Sequence, residues 1–134
     1  MTHTLTRWSP QALAALRIMT ALLFMAHGTM KLFGFPSADD PMSVQLFSLM
    51  GFAGILEAFG GLLLLIGLFT RPVAFVLAGM MAAAYFMAHA PQSFYPVLNG
   101  GDAAILFCFV FLYLVFAGPG AWSVDGMRHE RSPA

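Results

Sequence analysis

Five ionisable side chains stand inside long apolar runs of this sequence: Arg17, His27, Lys31, Glu57 and His89. In water such residues would be unremarkable. In a hydrocarbon setting a single charge costs about 3 kcal/mol or more, so those that remain either pair with one another or take part in binding or proton transfer. Lysine and histidine can donate hydrogen bonds to the carbonyl oxygens of a bound headgroup. A carboxyl group at depth can hold or pass a proton. The types present suit recognition of a polar-headed apolar molecule better than hydrolysis or nucleophilic attack.

The spacing sharpens this. Arg17, Phe24, Gly28 and Lys31 follow one another at intervals of seven, four and three, and His27 precedes Lys31 by four. On a helix these positions share one broad face, and a polar stripe in a lipid-embedded helix should face protein. At 1.5 Å per residue, Arg17 falls about 8 Å to one side of the midplane, His27 about as far to the other, and Glu57 near the centre. Two readings of Glu57 follow, and they are compatible. In the first it forms a buried pair with Arg17 that fixes the first helix against the second. In the second it works with His27 at a quinone headgroup or on a proton path, with Lys31 and His89 as further ligand-binding candidates. Lys31 can also be read as snorkelling to the interface, and His89, close to Pro91, as an interfacial histidine. Asn99 and Asp102 are structural polar candidates, Asp102 as a helix N-cap. No metal site is expected, because no His-x-x-x-His or similar ligand spacing occurs.

The elements that must carry these residues are four long apolar stretches, at about 10–33, 45–69, 72–90 and 102–117. Each approaches the roughly 20 residues needed to cross a hydrocarbon core about 30 Å thick. Of the 134 residues, 60% are hydrophobic and 9% charged, against about 25% charged in soluble domains. The expected fold is therefore an all-α membrane protein, a four-transmembrane-helix antiparallel bundle occupying one domain over 1–134. Gly34 to Pro41 and Ala90 to Ser93 are turn material, and Thr70-Arg71-Pro72 separates the second and third helices with almost no loop. Pro72 suits the first turn of a helix. Gly118-Pro119-Gly120 stops the fourth. Gly54 with Ala58, Gly60 with Gly61, and Gly79 with Ala83 read as seams of close helix packing. Arg7, Arg71, Arg128 and Arg131 fall on one side, Lys31, Asp39 and Asp40 on the other, so both termini are expected to be cytoplasmic. The first stretch does not read as a cleaved signal peptide, because Arg17 interrupts it and Lys31 follows it.

Other chemistries are disfavoured. The one cysteine, Cys108, cannot form a dithiol pair within the chain and reads as a small buried hydrophobe. Formal net charge is zero, which offers no basic face for nucleic acid. Gly51-Phe52-Ala53-Gly54 lacks the lysine and strand of a phosphate loop, and no nucleophile elbow is present.

Four blocks of sequence also resemble a known pattern. Arg17 to Leu32 reads R-x6-F-x2-H-G-x2-K-L, and Glu57 to Arg71 reads E-x2-G-G-x2-L-x2-G-x2-T-R. Asn99 to Asp102 reads N-G-G-D, and Gly118 to Asp125 reads G-P-G-x2-S-x-D. In order and spacing they resemble the DoxX family of small bacterial four-helix membrane proteins. The family often has Glu where this chain has Asp102. The resemblance implies a multi-pass protein of the bacterial inner membrane associated with membrane redox complexes, and it places the family's polar signature on Arg17, His27, Lys31, Glu57, Asn99 and Asp102. The expected role is a quinone-interacting or anchoring subunit of a membrane oxidoreductase. Quinone would supply the electron chemistry, and the chain a slot, hydrogen bonds and proton access. No haem, flavin or other cofactor motif lies within the chain. The expected partners are the lipid bilayer and a membrane or peripheral oxidoreductase; a homo-oligomer is compatible with so thin a bundle. The alternatives are a non-catalytic scaffold and, less favoured, a small-molecule transporter, for which the paired broken helices of such folds are lacking.

Overall fold

The computed structural model describes residues 5–36 and 46–130. Asp39, Asp40, Arg131 and the expected start of the second helix at Gln45 lie outside the described residues. Within them the chain is helical, with no strand. Helix α1 spans Ser9–Phe33, α2 Leu49–Ile66 and α3 Thr70–His89. A short α4 spans Pro96–Asn99, α5 spans Asp102–Ala117, and α6 spans Val124–Glu130. By length and composition α1, α2 and α3 can each cross a membrane. Helix α5 is strongly apolar but has 16 residues, about 24 Å of helix against a hydrocarbon core of about 30 Å.

Local chemistry sets the boundaries. Pro10 occupies the first turn of α1, where its missing N–H costs nothing, and Gly34 closes that helix at φ 69° with its N–H on the Met30 carbonyl. The Ser48 hydroxyl accepts from Gly51 N at 3.0 Å and caps α2. The break between α2 and α3 comes earlier than expected, at Gly67–Phe69 rather than at Thr70-Arg71-Pro72. Leu68 N reaches Leu63 O at 2.9 Å and Gly67 N reaches Leu64 O at 3.1 Å, a Schellman closure that needs the left-handed backbone of Gly67. Pro72 sits in the first turn of α3, as read from the sequence.

Packing falls into two helix pairs. Helix α1 lies along α2, and α3 lies along α5. Small residues set the α1–α2 register. A Cβ added at Gly28 would lie 2.5 Å from Ala58 N and 2.8 Å from Gly54 O, and one at Gly61 would press on Met25 and the Ala21 carbonyl. The Gly54–Ala58 and Gly60–Gly61 seams are real; Gly60 faces Leu77 of α3. Gly79 has nothing within 4 Å of its added Cβ, so Gly79–Ala83 is not a seam. Between the pairs, Phe24 meets Phe107 and Phe111 edge-on at 5.3 and 4.8 Å, beside buried Leu64, Leu77 and Leu114. Many large apolar side chains face outward, among them Leu23, Phe59, Phe75 and Phe116. That distribution suits lipid and would be unusual in water.

Ala121 N donates to Pro10 O at 2.9 Å, so the beginning of α1 and the chain after α5 meet at one end of the bundle. That end is called proximal below, and the opposite one distal.

Candidate functional site

The two ends of the bundle use their polar residues differently. At the proximal end Arg17 is fully buried and every donor on its guanidinium faces a carbonyl oxygen. Nε donates to Pro119 O at 2.7 Å, and Nη1 donates to Leu64 O and Leu65 O at 2.6 and 2.7 Å. Nη2 donates to Ala121 O and Trp122 O at 3.2 and 2.9 Å. Arg17 thus closes the C-terminus of α2, where the helix dipole favours a cation, and ties it to the loop after α5. Arg71 does the same for α5, its Nη1 on Val115 O and Phe116 O at 2.6 and 2.7 Å. Asp125 completes this end by accepting from Phe69 N and Thr70 N at 2.9 and 2.8 Å at the start of α3. Partial burial alone would raise the Asp125 carboxyl. The two N–H bonds, the Thr70 side chain and the nearby Arg128 outweigh it and hold the group below its ordinary value.

The expected Arg17–Glu57 pair does not form. Glu57 instead meets Lys31, with Nζ 2.6 Å from Oε1. The reason is register. Aligning helix centres sets residue 57 opposite the middle of α1, about a turn from residue 17, but the close contact of Gly28 with Gly54 and Ala58 places Glu57 beside Gly28. Residues 17 and 28 on α1 are then about 16 Å apart along the axis. Lys31 accordingly does not simply snorkel; it leans inward to the carboxylate. Asp102 does not cap α5 either. Gly101 is the N-cap residue and Asp102 the first helical residue, where its charge still complements the dipole.

At the distal end the helices enclose a cavity of about 560 Å³. Four of its lining residues are the ligand-binding candidates His27, Lys31, Glu57 and His89, contributed by three different helices. The other walls are apolar: Phe24 from α1, Leu56 from α2, Met80 and Met81 from α3, Phe107 from α5. Leu49, Met50 and Met87 line the cavity and are also exposed on the outer surface, at 67%, 45% and 64%. The cavity therefore opens sideways between the start of α2 and the end of α3.

Two irregularities shape this wall. The helix widens to π geometry over Leu56–Gly60 in α2 and over Tyr85–His89 in α3, the second closed by Ala90 N on Tyr85 O at 2.9 Å. Each widened turn carries one ionisable cavity residue, Glu57 or His89. Such turns recur at functional sites because they redirect side chains out of the regular helical track. Nothing in the residue pattern marked them.

Hydrogen bonding fixes the donors and acceptors. His27 Nδ1 lies 2.8 Å from Leu23 O, and His89 Nδ1 lies 2.9 Å from Asn99 O. A carbonyl only accepts, so in each ring Nδ1 carries hydrogen, and in the neutral ring Nε2 is an acceptor. Buried Asn99 holds the distal loop from three sides. Its Oδ1 accepts from Gly101 N at 2.8 Å, its Nδ2 donates to Ser93 O at 2.9 Å, and its carbonyl fixes His89. Glu57 is 3% exposed, and its second oxygen, Oε2, is buried without a hydrogen-bond partner among the described residues. Among the described residues no cluster of three or more His, Cys, Asp or Glu side chains could hold a metal ion.

The DoxX family model matches residues 12–90. This chain belongs to the DoxX family. An uncharacterized protein of Haemophilus influenzae is 40% identical over 134 residues, covering 92% of this chain and 95% of the relative. An uncharacterized membrane protein of Mycobacterium tuberculosis is 24% identical over 141 residues, covering 93% and 86%. No solved structure matches the chain. Family membership and the apolar helices make this a membrane protein in contact with the bilayer. The family match takes in Arg17, His27, Lys31, Glu57 and His89, and so spans three of the four cavity-forming helices.

Proposed function

We propose that this DoxX protein crosses the bacterial inner membrane four times with both termini cytoplasmic, and that its distal cavity receives a quinone-type molecule on behalf of a membrane oxidoreductase complex. The observation that carries the reading is the Lys31–Glu57 pair. A buried carboxylate with one oxygen on a lysine and the other without a partner stands in the wall of a largely apolar cavity that opens towards lipid. Pockets of this kind, apolar with a few convergent polar groups, are where small molecules bind. A benzoquinone ring would lie against Phe24, Phe107 and the methionines, its head at Lys31, Glu57 and the histidines, its tail leaving between α2 and α3. The chain offers binding, orientation and proton access; electron transfer belongs to the quinone and the partner complex.

The test is native mass spectrometry of protein extracted from its own membrane in mild detergent. A retained mass of the quinone class, reduced in Glu57→Gln, is the expected result. A co-extracted partner with no small molecule, in parent and variant alike, would favour the scaffold reading instead. Tryptophan quenching is a poor probe, because Trp8 and Trp122 both lie at the proximal end.

A further inference from the structure

The side chains lining the cavity offer more hydrogen-bond acceptors than free donors, and from this we infer that it selects the reduced, hydroxyl-bearing form of its ligand over the oxidised, carbonyl-bearing form. The inference rests on the quinone-class reading and adds which member of the redox pair is held.

The inventory is short. Glu57 in its ion pair with Lys31 is acceptor-only, and Oε2 has no donor among the described residues. Rotation about the terminal torsion of a glutamate is soft, so the carboxylate can keep one oxygen on Lys31 and present the other to a ligand. His27 and His89 have their Nδ1 hydrogens committed to Leu23 O and Asn99 O. As neutral rings each therefore has an acceptor, Nε2, left to offer. Against these three acceptors the polar wall has the donors of Lys31, one of which is already on Glu57 Oε1. The methionines, phenylalanines, leucines and alanines of the remaining wall add no side-chain donor.

Among the side chains of the wall a carbonyl-headed ring can use only Lys31, and it would leave Glu57 Oε2 without a donor. A hydroquinone brings two hydroxyl hydrogens. One would satisfy Oε2 and the other a histidine Nε2, while the phenolic oxygens still accept from Lys31. A hydroxyl donating to a carboxylate is among the stronger neutral-to-charged hydrogen bonds. The gain here includes relief of a buried acceptor that otherwise stays bare. The proposal concerns binding alone and involves no electron transfer.

The test uses three probes of one shape on the detergent-solubilised parent protein: a decyl-tailed hydroquinone, the matching benzoquinone, and the hydroquinone dimethyl ether, which keeps the ring and oxygens but has no hydroxyl hydrogen. Binding is measured by calorimetry under anaerobic conditions. The expected result is that the hydroquinone binds at least about tenfold more tightly than either of the others. In Glu57→Gln, whose amide brings a donor to the same place, the preference should shrink to within about threefold. Equal affinity for all three probes, or a preference for the benzoquinone, would overturn this inference and leave the quinone-class reading standing. Saturable binding of none of them would overturn both. The comparison among probes on the parent protein decides the matter even if Glu57→Gln does not fold.

Discussion

Replacing Arg17 by lysine keeps the charge and removes the geometry. The guanidinium serves five carbonyl oxygens, those of Leu64, Leu65, Pro119, Ala121 and Trp122. An ammonium has three hydrogens, and Leu64 O also accepts from Gly67 N, so at least one of the other four carbonyls loses its donor. At about 1–3 kcal/mol for each acceptor left bare, Arg17→Lys should cost at least about 1–3 kcal/mol. Arg71 provides the internal comparison. It also sits at a helix end, but among the described residues its guanidinium reaches two carbonyls, Val115 O and Phe116 O. A lysine can satisfy both, so Arg71→Lys should cost less than about 1 kcal/mol. The assay is reversible unfolding in mixed dodecylmaltoside and dodecylsulfate micelles, followed by far-ultraviolet circular dichroism. Equal losses for the two variants would show that charge at the helix end, rather than the number of carbonyls served, is what matters, and would refute the reasoning.

Three more outcomes follow from the geometry. Gly28→Val should force α1 and α2 apart, because even a Cβ there would stand 2.5 Å from Ala58 N; the same unfolding assay should show a loss of about 1–3 kcal/mol. The double variant Lys31→Met with Glu57→Met should destabilise less than the sum of the two single variants, by a coupling of at least about 1 kcal/mol across the 2.6 Å pair; additive losses would mean the pair contributes nothing jointly. Burial would raise the Asp125 carboxyl in the folded state, but the Thr70 and Phe69 N–H groups hold it below its ordinary value. Its contribution is therefore present above about pH 4 and is lost as pH falls through the lowered folded value. Asp125→Asn, which removes the titrating group, should flatten that part of the stability profile, and unfolding measured from pH 6 to pH 3 checks it.

Much of the architecture was legible because lipid imposes a simple demand: long apolar helices punctuated by glycine and proline. The stretch 102–117 coincides with α5, and 10–33 differs from α1 by one residue. The α2–α3 break was displaced because Arg71-Pro72 is a conspicuous signal, whereas the closure depends on backbone hydrogen bonds at Gly67 and Leu68. The polar residues were legible as a set, since each is conspicuous in an apolar run. Their pairing was not. It depends on helix register, and register is set by the fit of Gly28 against Gly54 and Ala58, which no residue count reveals. Arg17 and Arg71 show a similar limit. A cation near a helix end invites a carboxylate partner or a topology argument, while both residues serve main-chain carbonyls that have no letter in the sequence. The π turns at Glu57 and His89 escaped notice for the same reason.

The cavity's role as a binding site is tested most directly by filling it. Ala53 on α2 lines the cavity, and Ala53→Phe places a ring where the ligand headgroup would lie while leaving the Arg17 and Arg71 closures untouched. Calorimetric titration of parent and variant with the decyl-tailed hydroquinone is the measurement, with circular dichroism confirming that both are folded. The account predicts saturable one-to-one binding to the parent and none to the filled variant. Equal binding to both proteins, or no saturable binding to the parent, would contradict it.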